Sequence, residues 1–113
     1  MSVISLKERQ KAISLFAVYG ALLTETETRM MESYYSYDLS LAEIAEENGI
    51  SRAAVSEAIK SALLKMEEYE SKLGLLSNNQ KLIDGLTEIR KIDDPSMRLE
   101  AFDKYVEELK NGI

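Results

Sequence analysis

The chain has 113 residues, a net charge of −6, 45% hydrophobic and 30% charged residues; this allows one domain with a real core and excludes a disordered chain. There is no Cys and no His, which removes disulfides, thiolate metal sites, the commonest general base and the most reactive nucleophile. One Pro and five Gly among many helix-forming residues predict an all-α, non-enzymatic protein that needs no cofactor or metal.

The N-terminal "MSVISLKERQ" carries Lys7, Glu8 and Arg9 where a secretory signal needs an apolar run. No stretch approaches the roughly 18 apolar residues of a membrane span, so a cytoplasmic protein is expected. Ser5 and Glu8 stand at capping-box spacing and open the first helix. Its broad apolar face runs through Leu6, Ile13, Phe16, Val18, Tyr19, Leu22 and Leu23. Thr24 and Glu27 form a second box, so a new helix begins there and carries Met30, Met31, Tyr34 and Tyr35, with both tyrosines read as core. "SYDL" reads as a turn. Ser40 and Glu43 form a third box, opening a helix from Leu41 to Asn48. Gly49 suits the left-handed position past that helix, and Ser51 is an N-cap for the next.

The helix from Arg52 has no breaker before Gly74. Val55, Ile59, Ala62, Leu63, Met66, Tyr69 and Leu73 form one narrow stripe along it, close to a coiled-coil seam over about six turns. Beyond Met66 this seam outruns the helices that would cover it, which argues for a partner such as the C-terminal helices or a second copy. The polar Ser77, Asn78 and Asn79 mark a junction, followed by helices from Gln80 to about Lys91 and from Pro95 to about Lys110, with Asp94 as N-cap. The organisation expected is therefore a domain over residues 1–76 and a helical extension over 77–113, packed on that domain or on a dimer partner.

Residues 40–60 meet the demands of a helix-turn-helix. Ala45 is small where the helices approach, and Gly49 follows four places later for the turn. Leu41, Ile44, Ile50, Val55 and Ala58 can plug the inner face, while Ser40 and Ser51 cap the two helices. Helical geometry then leaves Ser51, Arg52, Ala53, Ser56, Glu57 and Lys60 pointing outward on the second, recognition helix. The expected nucleic-acid contacts are Ser51, Arg52, Ala53, Ser56 and Lys60, with Ser40 offering its amide and hydroxyl to a phosphate.

From Phe16 to Leu73 the chain resembles the YlxM family of small bacterial proteins, on Phe16, Tyr19, "LLTE", Tyr34 and Tyr35, "SLAEIAEE", "SRAAV", "IK" and "EEYE". That is about half the chain. The resemblance implies a fold similar to sigma factor region 4 and a regulatory link to the signal recognition particle pathway, whose GTPase gene usually lies beside that of family members. The chain departs from the family by having small residues at Ala53, Ser56 and Ala58 and no cation at Ser61.

Charge limits the nucleic-acid reading. Between Ser40 and Leu73 four cations (Arg52, Lys60, Lys65, Lys72) face seven carboxylates, for a net −3. A strong binder neutralises about six to ten phosphates, so a weak binder of DNA or of the particle's RNA is expected, acting as a homodimer. The competing reading is an acidic protein-interaction module that engages the particle's GTPase or its RNA complex without reading DNA sequence.

Overall fold

A computed structural model describes residues 6–112, and all of the regular structure among them is helical. The chain falls into two compact units, one ending at Leu76 and the other beginning at Ser77. The helices are α1 (Leu6–Tyr19), α2 (Glu25–Met31), α3 (Leu41–Asn48), α4 (Arg52–Leu73), α5 (Leu75–Arg90) and α6 (Pro95–Lys110). A short 3₁₀ turn (Gly20–Leu22) follows α1, and a π-helical turn (Glu32–Ser36) follows α2. Ser5, read as the first cap, lies outside the described residues.

Local chemistry sets the boundaries of the first unit. Thr24 and Glu27 close a reciprocal capping box at the start of α2, with amide-to-side-chain distances of 3.0 and 3.2 Å. Ser40 and Glu43 do the same for α3, at 3.0 and 3.1 Å. Gly49 takes φ 65° after α3; its amide donates to Glu46 and that of Ile50 donates to Ala45, the paired bonds of a Schellman motif.

The core of this unit is a single cluster. Leu15 and Tyr19 of α1, Met30 and Met31 of α2, Ile44 of α3, and Val55, Ala62 and Met66 of α4 are all but fully buried. Tyr34 and Tyr35 are buried as well, their rings meeting edge to face at a 4.9 Å centroid distance. The π turn widens the backbone where they sit and ends the α2 helix at Met31, earlier than the run of apolar residues suggests.

Four expectations are corrected. On α1 the inward line is Ala12, Leu15 and Tyr19, whereas Leu6, Ile13 and Leu22 are exposed; a face that broad left the inward stripe undetermined, and the 12–15–19 spacing wins. Ile50, assigned to the inner face, is 40% exposed; it stands past Gly49 in the corner between α3 and α4, outside both helices. Tyr69 is covered after all, packing 6.0 Å from the Tyr19 ring, so the uncovered end of the seam reduces to Leu73. Finally, Ser77, Asn78 and Asn79 lie inside α5.

The last correction has a clear cause. Gly74, at φ 62°, makes the break between α4 and α5 by itself. The first amides of α5 then find acceptors at once: Leu75 donates to the Tyr19 hydroxyl at 3.2 Å and Leu76 to Glu70 Oε1 at 2.9 Å. Tyr19 itself donates to that same carboxylate oxygen at 2.6 Å. With its orphan donors satisfied, α5 has no need of the polar run as a loop.

The second unit is a helical hairpin. Asp94 caps α6, accepting from the Ser96 amide at 2.9 Å, and Pro95 occupies its first turn. Arg98 donates to the Ile92 carbonyl at 3.0 Å across the connection. Tyr105 of α6 lies directly over Gly85 of α5, where an added methyl would overlap its ring and hydroxyl. That hydroxyl donates to the Lys81 carbonyl at 3.3 Å.

Candidate nucleic-acid interface

The helix-turn-helix is α3, the three-residue turn Gly49–Ile50–Ser51, and α4. Val55 and Ile59 point into the core, and the opposite side of the first two turns of α4 is open. Arg52, Ala53, Glu57 and Lys60 are exposed and Ser56 is half-buried, so the structure brings these residues onto one outward surface. Neither Arg52 nor Lys60 forms an ion pair with any described residue.

The two serines differ. Ser51 Oγ accepts from the Ala54 amide at 3.0 Å, but position 54 carries no carboxylate to reach back. The amides of Arg52 and Ala53, which have no acceptor inside the helix, stay directed at solvent with the positive end of the α4 dipole behind them. At Ser40 the reciprocal box is complete, and the Ser40 amide already donates to Glu43 Oε1. Hydrogen bonds from the Ser40 amide and hydroxyl region hold the Glu43 carboxyl below its ordinary range, so it stays an anion there. The amide assigned to a phosphate is therefore occupied, and the Ser40 hydroxyl is engaged with Glu43 as well.

Acidic side chains frame this surface. Glu43, Glu46 and Glu47 are all exposed on α3, and Glu57 stands between Ala53 and Lys60 on α4. No group of three or more His, Cys, Asp or Glu among the described residues is arranged to hold a metal ion.

Two further clusters hold this surface in place, and sequence reasoning had not found either. Glu27 is buried, and beyond its capping role Oε1 accepts from Lys65 Nζ at 2.9 Å and Oε2 from the Ser61 hydroxyl at 3.2 Å. Burial pushes this carboxyl up, but bonds from Thr24, Lys65 and Ser61 outweigh it and leave it below its ordinary value. The carboxylate thus ties α2 to α4. At the other end, Arg9 donates to the Tyr35 carbonyl at 3.2 Å and to Asp38 Oδ1 at 3.1 Å, with its guanidinium 5.4 Å from the Tyr35 ring centre. Asp38 has φ 57°, uncommon outside glycine, so Arg9 clamps a strained corner just ahead of α3. Residues 26 to 29 positions apart leave no periodic signal for such pairs.

Comparison with known proteins agrees with this geometry. Residues 6–109 match the model of a family described as "Putative helix-turn-helix protein, YlxM / p13 like". The UPF0122 protein of Symbiobacterium thermophilum is 39% identical over 89 residues, 79% of this chain and 83% of the relative. That of Halalkalibacterium halodurans is 40% identical over 95 residues, 84% and 87% of the two chains. That of Clostridium kluyveri is 34% identical over 111 residues, 96% of this chain and all of the relative. The matched span takes in α5 and α6, well past the half-chain on which the sequence resemblance rested.

Proposed function

The chain belongs to the UPF0122 family of YlxM / p13-like helix-turn-helix proteins, and on that footing we propose that it is a non-enzymatic regulator that binds nucleic acid weakly, as a homodimer, in connection with the signal recognition particle pathway. The observation that carries this reading is the outward surface at the start of α4. There Arg52, Ser56 and Lys60 stand clear of the core, Arg52 and Lys60 are without ion-pair partners among the described residues, and the first amides of α4 have no acceptor within the helix. Arg52 is the residue for a guanine edge or a phosphate, Lys60 for a phosphate, and Ser51, Ala53 and Ser56 for close backbone approach. Ser40, whose amide and hydroxyl are engaged with Glu43, contributes least. The pathway link rests on the family resemblance.

Two cations per copy and a net charge of −6 keep the affinity low, because phosphate neutralisation supplies most of it. A dimer doubles the contacts without changing their kind. The test is a titration of the protein against labelled duplex DNA and against the particle's RNA, with and without the GTPase, at two salt concentrations. Weak binding that falls with salt and disappears in the Arg52→Ala, Lys60→Ala double variant is the expected result. Binding that survives in the double variant, or none at low salt, ends the nucleic-acid reading. Capture of the GTPase alone would instead favour the acidic interaction surface around Glu43, Glu46 and Glu47.

A further inference from the structure

We infer that the open face of the α5–α6 hairpin is the surface on which two copies of this chain pair, through an antiparallel four-helix arrangement. The inference deepens the dimer clause of the proposed function by naming where the pairing occurs.

The hairpin has not finished burying its apolar residues. No side chain of α5 or α6 is buried: Leu82, Ile83, Leu86, Met97, Leu99, Phe102 and Leu109 remain 38 to 62% exposed, and Ile89 and Val106 are half-buried. A unit of 37 residues falls below the size at which a lone core sustains a fold. Tyr105 packs over Gly85 where the two helices meet. The hairpin also carries an apolar groove of about 460 Å³ lined by Leu86 and Ile89 of α5 and Leu99 and Phe102 of α6, with Arg90 and Arg98 beside them.

The spacing of those residues says what fits. Leu82, Leu86 and Ile89 recur at intervals of four and three along α5, and Leu99, Phe102, Val106 and Leu109 at three, four and three along α6. That is the seam of helices packed at a shallow angle in bundles and coiled coils. The occupant is therefore helical, and two such seams side by side call for two more. A second copy supplies both, with matching length, since α5 and α6 each have 16 residues.

Charge fixes the direction. Residues 90–98, at the connection, carry a net +1, and residues 100–110, towards the far end of α6, carry −2. Antiparallel pairing sets each positive end against a negative one, and the contact is self-complementary as a two-fold interface requires. Half-exposed side chains in this number leave on the order of 500 Å² per copy to cover. Two copies together reach about 1,000 Å², the scale at which specific interfaces begin.

Sedimentation velocity of the full chain, from low micromolar to submillimolar concentration, tests the pairing. The expected species at high concentration has twice the 12.8 kDa mass of the chain. Leu86→Lys and Phe102→Glu are each expected to raise the dissociation constant at least ~30-fold, as loss of an interface hot spot does. Circular dichroism checks that both variants keep their helices. The chain has no cysteine, so a single introduced one reports position: Leu86→Cys should cross-link between copies with a short bismaleimide, and Lys104→Cys on the far side of α6 should not. A monomer at the highest concentration, a dimer unaffected by both charge variants, or equal cross-linking at the two cysteines overturns the inference. The same samples are titrated with DNA and RNA. A dimer that ignores both keeps this interface and ends the nucleic-acid reading; a monomer that binds them does the reverse.

Discussion

Glu27 is a single side chain with three structural uses: it caps α2, pairs with Lys65 and accepts from Ser61. Glu27→Gln is expected to lower unfolding stability by about 1–3 kcal/mol in urea denaturation, the range for breaking buried charge-assisted bonds. Lys65→Ala should cost less, because its side chain is 43% exposed and the capping bonds survive. The acid response follows from the lowered carboxyl. Unfolded, Glu27 titrates near 4.5; folded, it titrates lower. Its contribution is therefore complete above about pH 4.5 and is lost as pH falls through the folded value, and acid unfolding of Glu27→Gln should lack that component. The sequence announced Glu27 only as the third residue after Thr24. Its partners sit 34 and 38 positions away, where no local pattern reaches. Residues whose role is local, such as Gly49 and Ser51, were legible for the opposite reason: their neighbours along the chain are also their hydrogen-bond partners.

Elements were legible wherever capping chemistry marked their ends. The starts of α2, α3, α4 and α6 all fall where a Thr, Ser or Asp side chain is positioned to cap them. The start of α5 was misplaced because its caps come from elsewhere in the fold, from the Tyr19 hydroxyl and the Glu70 carboxylate. Tyr19→Phe removes one acceptor for Leu75 and one donor to Glu70. Amide exchange at Leu75 and Leu76 should accelerate about tenfold, the equivalent of one net hydrogen bond. Burial, and then the bond to Glu70, raise the Tyr19 phenol above its ordinary value of 10.0. Its stabilisation is accordingly present below about pH 10 and lost as pH rises through the folded value, so Tyr19→Phe should show a shallower alkaline decline. In the hairpin, Gly85→Ala reverses the usual rule. An exposed helical glycine gains about 1 kcal/mol on becoming alanine, whereas here the methyl meets Tyr105. A loss of about 1–3 kcal/mol is expected by thermal denaturation, relieved in the Gly85→Ala, Tyr105→Ala double variant.

At the scale of the whole molecule the decisive quantity is charge. The architecture of a helix-turn-helix was written in the spacing of Ala45, Gly49, Ser51 and Val55, and the family match confirms it. What it grips is not written there, because a groove-reading helix and a protein-docking helix obey the same packing rules. No described helix is long and apolar enough to cross a membrane. Glu57→Gln removes the anion from the middle of the α4 surface while leaving Val55 and Ile59 in the core. The affinity for duplex DNA at low salt should rise severalfold, measured by fluorescence anisotropy, without change in thermal stability. Removing Arg52 or Lys60 singly should weaken binding and flatten its logarithmic salt dependence by about one per copy.

The π turn at Glu32–Ser36 lets one more residue than an α-helical turn into the path between α2 and α3. It works as a spacer measured in single residues. Removing one residue there would let α2 run on as an ordinary helix, turning everything after it by about 100° and shortening the path by about 1.5 Å. Tyr34 and Tyr35 would leave their edge-to-face pairing, and Arg9 would lose both of its partners at once. Chain length at this point is thus constrained apart from residue identity: substitutions at the exposed Glu32 and Ser36 should be tolerated where a one-residue deletion is not.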